Sequence, residues 1–426
     1  MKVTILAVGS QGDVQPYAAL GGGLARAGHA VTLASHETFR ALAKRCGISF
    51  SLIAGNPMDI VQGPEGQAWL SSSSNYLKFI GSVRKLAVGL LGQILDGALA
   101  ATQGSDALIF SLPLSICGYT VAEVLNIPGI PAALYPLHRA WEFPSIMMPR
   151  LRLGHLGNWL SATAVQQIFW QFSRSLLQRR RRELGVGKMS FFPPMEKQHK
   201  EGLPFLYGYS PSVIPRPAGW PETRATCGYW FLEDTSPWQP DARLAAFLEA
   251  GPPPVYVGFG SMASADSQDM TRAILDGIQK AGQRVLLSGG WGGFHVEDLP
   301  ESVMPIGFVP HDWLFPRVSL AIHHGGAGTS AAVFKAGVPQ MIIPFFADQF
   351  FWGKKVSDLG LGAPPLSRKK LSVELVEKSV RSVLESPGMA ARAREVAKAI
   401  RAEDGIGAAV RAVEGYFRST KLRTSA

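Results

Sequence analysis

The stretch His323-His324-Gly325-Gly326-Ala327-Gly328-Thr329 lies between an apolar run, Val318 to Ile322, and a segment that ends at Gly337-Val338-Pro339. An apolar run, a glycine turn and a segment closed by glycine and then proline spell strand, tight turn and helix. Glycine lets the backbone come close to a ligand, and the first N–H groups of the following helix carry partial positive charge suited to phosphate. One reading is a diphosphate held at Gly325, Gly328 and Thr329, with side-chain donors from His323 and Thr329. A tight turn around a core histidine is the other.

The next apolar run, Gln340 to Phe346, ends in Ala347-Asp348-Gln349-Phe350. A carboxylate and an amide side by side just past a strand can grip adjacent hydroxyls of a sugar. In doubly wound sheets ligands bind beyond the carboxyl ends of the strands, so both turns would open on one crevice.

With 426 residues the chain suits two α/β domains, each with its own core. Val3 to Val8, a turn from Gly9 to Pro16, a helix from Tyr17 to Ala27 and a strand from Ala30 to Ser35 form a βαβ opening. Ala107 to Phe110 and Ile130 to Leu134 continue that sheet, and Gly228 to Leu232 reads as its last strand. A second sheet runs through Val255 to Phe259, Arg284 to Leu287, Met304 to Phe308, Leu320 to His323 and Gln340 to Phe345. The expected division is a first domain over 1–235, a linker over 236–254, a second domain over 255–404 and a final helix and tail over 405–426. A dinucleotide site at Gly9-x-x-Gly12 fits poorly, because G-x-G-x-x-G is absent and Pro16 occupies the turn.

The two turns together resemble the sugar-nucleotide signature of GT-B glycosyltransferases that use UDP- or TDP-sugars, sterol glucosyltransferases above all. Gly9 to Pro16, Ser210 to Pro217 and Gly258-Phe259-Gly260-Ser261-Met262 share the resemblance, which spans nearly the whole chain. It implies two Rossmann-like domains, the first for an acceptor and the second for a nucleotide sugar, with the final helix returning to the first domain. It assigns Asp13, beside Gly12 in the N-terminal loop, as the base that takes the acceptor's proton; a helix N-cap is the structural alternative. Diphosphate contacts fall to Ser261, His323, Gly325, Gly328 and Thr329, with Ser261 also readable as a plain turn residue. Asp348 and Gln349 would hold the sugar. Phe308 would stack on the nucleotide base while the Val309 backbone reads its edge, although a core phenylalanine fits the pattern equally. His324 points the opposite way from His323 by strand alternation and is expected to be structural. Plant relatives hold the ribose with a glutamate after the histidine-glycine turn; Ser330 to Phe334 contains no carboxylate. The implied reaction is inverting transfer of a hexose, glucose from UDP-glucose by analogy, to a lipophilic hydroxyl acceptor such as a sterol, with macrolides and flavonoids as alternatives. It needs neither cofactor nor metal. A sugar-nucleotide epimerase and a non-catalytic relative are the competing classes.

Three widely spaced cysteines, Cys46, Cys117 and Cys227, suggest neither a disulfide framework nor a zinc site. No run is long and apolar enough to span a membrane. Phe79 to Ala101 carries Arg84, Lys85 and Asp96 and reads as an amphipathic helix. Met1 to Val8 reads as a strand rather than a signal peptide, so a cytoplasmic protein is expected. A net charge of +10 admits nucleic acid, an anionic membrane or an anionic substrate. No nucleic-acid motif accompanies it. The densest basic run, Arg179 to Arg182, follows Ile168, Phe169, Trp170, Phe172, Leu176 and Leu177; peripheral membrane contact and a solvated helix end are both open.

Overall fold

A computed structural model describes residues 1–54, 90–148, 154–232, 238–259, 267–288, 299–345 and 348–424. The chain divides into two compact units, one of Met1–Ser145, Leu153–Glu233 and Glu403–Ala426, the other of Ile146–Arg152 and Asp234–Ala402.

The first unit carries a seven-stranded sheet of β1 (Lys2–Leu6), β2 (Ala30–Ser35), β3 (Ser49–Leu52), β4 (Ala107–Ser111), β5 (Gly129–Ala133), β6 (Phe205–Tyr207) and β7 (Arg224–Thr226). The order is β3-β2-β1-β4-β5-β6-β7, and every pairing is parallel. Parallel strands need crossovers, and helices cover both faces, which is why β4 and β5 are buried at every position. The order turns back between β1 and β4, the point at which doubly wound sheets bind ligands beyond the carboxyl ends of their strands.

The second unit carries β8 (Val255–Gly258), β9 (Val285–Ser288), β10 (Val303–Ile306), β11 (Leu320–His323) and β12 (Gln340–Ile342) in the order β10-β9-β8-β11-β12, again all parallel. One face buries Val257, Ile322 and Met341 with Ile274, Ile278, Val376 and Val380 from helices Ser267–Lys280 and Val373–Leu384. The other buries Tyr256, Leu286 and Ala321 with Leu314, Phe315 and Val333. Alternate residues of each strand serve opposite cores, as a period of two requires. Here the order turns back between β8 and β11.

Three expectations are corrected. The helix after β1 spans Gln11–Arg26 and passes through Pro16. The carbonyl that Pro16 leaves unpaired is that of Gly12, exposed in the first turn, where water can serve it. Gly228 to Leu232 is not a strand: β7 ends at Thr226, and Gly228 adopts φ +106°. There the backbones of Gly228 and Gly405 meet so closely that a Cβ on Gly405 would lie 2.3 Å from the Tyr229 carbonyl oxygen. The stretch read as a linker carries helix Ala242–Glu249, capped by Asp241 at 2.8 Å from the Leu244 N–H, and Leu244 joins the core of the second unit.

The final helix, Gly405–Thr424, belongs to the first unit and packs on Gln11–Arg26. Of Phe79 to Ala101, residues 90–101 are described and helical; the rest lies outside the described residues. Among the described residues no helix is long and apolar enough to cross a membrane.

Candidate active site

Beyond β1, Ser10 caps helix Gln11–Arg26 and Asp13 occupies its third position. Asp13 Oδ2 accepts from the Ser10 N–H at 2.8 Å and from the Ser10 hydroxyl at 2.7 Å. This reciprocal box is a variant of the usual cap, with Asp13 itself not the N-cap residue. Among the described residues no hydrogen bond reaches Oδ1. Burial raises the Asp13 carboxyl above its ordinary value, against the lowering effect of the two Ser10 bonds. Such a carboxylate is a better proton acceptor than an exposed one. Gly12, exposed beside it, sits in the same first turn.

Beyond β11 the chain turns at Gly325, whose φ of +87° and whose 2.7 Å approach of a notional Cβ to Ile342 Cγ2 admit only glycine. Helix Ala327–Ala336 then begins with Gly326 as its N-cap. The N–H groups of Gly328 and Thr329 fall in its first turn, where no partner exists within a helix, and the helix dipole adds to them. Thr329 is half-buried, and the Ser330 hydroxyl is buried with no hydrogen-bond partner among the described residues.

His323 is fully buried, its Nδ1 accepts from the Gly325 N–H at 3.1 Å, and its Nε2 lies 2.9 Å from Gln340 Oε1. With Nδ1 accepting, the proton sits on Nε2 and is donated to Gln340. Both nitrogens are spent on holding the turn, so the imidazole positions the backbone donors and offers none itself. Burial, with His324 beside it, pushes its pKa down to about 3, which keeps it neutral. His324 is the half-buried one of the pair, and its Nδ1 has no hydrogen-bond partner among the described residues. Gln340 was missed by sequence reasoning; its signal is a fully buried amide opening an apolar run.

Asp348 is the N-cap of helix Gln349–Asp358, and its Oδ2 accepts from Trp352 Nε1 at 3.1 Å. Gln349 is only 4% exposed, and its Oε1 accepts from the Phe345 N–H at 2.7 Å. The Gln349 amide oxygen thus ties the segment after β12 to the helix. Asp348 remains half-buried at the helix start. After β10, Phe308 is 73% exposed, which removes the core-phenylalanine reading, while Val309 is buried. Ser261 lies outside the described residues. Among the described residues no group of three metal-ligating side chains gathers.

Two units, each with a parallel, doubly wound sheet, define the GT-B fold. Solved structures agree: the glycosyltransferase of kitacinnamycin superposes with a TM-score of 0.71 at 16% identity, covering 97% of this chain and 98% of that one. CalG4, the calicheamicin glycosyltransferase, gives 0.69 at 20% identity over 97% and 98%. Residues 3–140 match the glycosyltransferase family 28 N-terminal domain, and residues 285–408 match the C-terminal domain of erythromycin biosynthesis protein CIII-like proteins. The chain thus has the GT-B fold, with one of these two domain matches in each half. It is 35% identical over 427 residues to a sterol 3-beta-glucosyltransferase of Emericella nidulans, covering 97% of this chain and 30% of that protein. A sterol 3-beta-glucosyltransferase of Komagataella phaffii is 33% identical over 96% of this chain and 34% of its own length. The chain thus spans about a third of the curated relatives it matches.

Proposed function

We propose that the chain transfers a hexose, glucose from UDP-glucose in the first instance, to a hydroxyl of a lipophilic acceptor of the sterol class, with inversion at the sugar carbon. The observation that carries the reading is Asp13, a carboxylate at the switch point of the first sheet whose pKa burial raises. The acceptor O–H proton passes to Asp13 as the oxygen attacks the anomeric carbon. The bond from that carbon to the diphosphate oxygen breaks, and the electron pair leaves with the nucleotide. The backbone N–H groups of Gly328 and Thr329 are set to meet the charge that develops, and His323 and Gln340 hold the turn that aims them. Asp348 is the sugar contact and Phe308, exposed beside Val309, the platform for the base. The sterol class rests on the likeness to sterol 3-beta-glucosyltransferases along nearly the whole chain.

The test is UDP release from UDP-glucose by purified protein, with and without sterols, macrolide aglycones and flavonoids, with product masses. Sterol-dependent release with a hexose added to the sterol is the expected result. Release without acceptor, or UDP-sugar isomerisation, would replace transfer by hydrolysis or epimerisation.

A further inference from the structure

Helix Gly154–Leu176 contains no Asp, Glu, Lys or Arg from Gly154 to Ser173. It is buried through Ser161, Ala162 and Trp170, with the Gln166 amide donating to the Leu137 carbonyl oxygen. Leu156, Leu160, Ile168 and Phe169, with Phe191 and Phe192 beyond the helix, are each between 46% and 68% exposed. Leu156, Leu160, Ala164 and Ile168 follow one another at intervals of four residues, so they form one stripe along the outward side. Gln167, seven residues after Leu160 and so on the same side, donates to the Phe191 carbonyl oxygen at 2.9 Å, and Gln171 does so at 2.6 Å. Trp170 Nε1 holds the Ser190 carbonyl oxygen at 3.0 Å. The two phenylalanines are therefore fixed alongside the stripe, presenting their rings outward.

Several basic groups stand beside this surface. The Arg174 guanidinium lies 5.3 Å from the Phe191 ring centroid, and Arg182 and Lys188 are exposed nearby in sequence. The arginine run itself is divided: Arg181 is buried on Glu123 at 2.6 Å, Arg180 pairs with Asp96 and Glu183, and Arg179 pairs weakly with Glu183 at the surface. The lipid contact read from Arg179 to Arg182 thus moves to the adjoining helix, with the outer arginines as its rim.

We infer that the outward face of helix Gly154–Leu176, with Phe191 and Phe192, is a docking surface for an anionic phospholipid bilayer. Charge complementarity selects this occupant: an aliphatic stripe and two outward aromatic rings, without a carboxylate on the face and with a basic rim, match what lies in a bilayer interface beneath anionic headgroups. The chain's net charge of +10 favours the same encounter. The inference stands apart from sugar transfer, because its readout involves no turnover.

Flotation of the full chain with phosphatidylcholine vesicles, with and without phosphatidylglycerol, tests it. The protein is expected to float with the anionic vesicles, less so as salt rises. The double substitution F191S/F192S, and separately L160Q/I168Q, should each reduce vesicle binding by at least about tenfold, since each removes two apolar anchors. All four side chains are exposed, so unchanged far-ultraviolet dichroism and melting temperature are expected of both variants. Absence of binding to anionic vesicles overturns the inference, as does binding that both variants retain. A rise in acceptor KM in these variants with vesicle binding unchanged would overturn it too, giving the surface to the acceptor.

Discussion

At the scale of single residues, the helix-start contact of Asp13 and the role of base proposed for it do not exclude each other. Its Oδ2 closes the start of the helix and its Oδ1 stays clear of hydrogen bonds from the described residues, so capping does not preclude proton transfer. Asp13→Asn keeps an acceptor oxygen for Ser10 and removes the base. Turnover is expected to fall by about 10²- to 10⁴-fold with UDP affinity unchanged, read by steady-state kinetics and calorimetry. Because its pKa is raised, the acid limb of the rate profile should lie above the ordinary carboxylate value of 3.8, with activity lost as pH falls through it. The stability term has the opposite slope: it is fully present below the unfolded value and lost as pH rises through the folded one. Gly325→Ala tests the turn on the donor side. A side chain there meets Ile342 and requires φ of +87°, so a loss of about 1–3 kcal/mol and weakened UDP binding are expected. Unaltered UDP affinity in that variant would take the diphosphate away from this turn.

At the scale of elements, β2 and β11 were legible to the residue, because short apolar runs bounded by glycine and polar residues leave little choice. Helix Gln11–Arg26 was not, since Pro16 stops most helices and only the exposed Gly12 carbonyl makes it tolerable here. The glycine turn after β11 could be read because glycine reports backbone geometry directly. Which imidazole serves it could not, because the answer lies in Gln340, distant in sequence and adjacent only once β12 pairs with β11. This strand-turn-helix element has a consequence for acid stability. Burial holds His323 neutral with a pKa of about 3, and His311 and His324 with values of about 4. Their folded values lie below the ordinary histidine value of 6.5, so the stability they contribute is complete above it and lost as pH falls from 6.5 towards those values. The melting temperature should therefore drop on acidification across that window, and UDP should restore part of it through binding to the native state. A melting temperature constant from neutral pH down to about 4 would contradict three histidines held neutral.

At the scale of the whole molecule, the chain leaves one unit at Ala402 and enters the other at Glu403. Ser210 and Ser212, which open the motif running to Pro217, donate their hydroxyls to Glu403 Oε1 at 2.6 and 2.7 Å. Asp404 then caps the final helix through the Gly407 N–H at 2.9 Å and pairs with Arg411. Ile406 rests where a side chain on Gly23 would have to be, at 2.1 Å from a notional Cβ. A glycine inside a helix costs about 1 kcal/mol against alanine, and the close approach of the final helix is what it secures here. The Ser210-to-Pro217 motif, read in the sequence only as a family resemblance, thus acquires a physical role, because its serines seat the returning chain. Gly23→Leu should unseat that helix and destabilise the first unit by several kcal/mol, within the range for overpacked cores and lost apolar burial. Glu403→Ala should cost less, about 1–3 kcal/mol, by leaving the fully buried Ser210 hydroxyl without its acceptor. In both variants limited proteolysis is expected to cut first near Glu403 and release the C-terminal helix. UDP binding should persist, since the diphosphate turn belongs to the second unit and its core is untouched. Loss of UDP affinity in step with loss of the helix would mean that the donor site depends on the first unit as well.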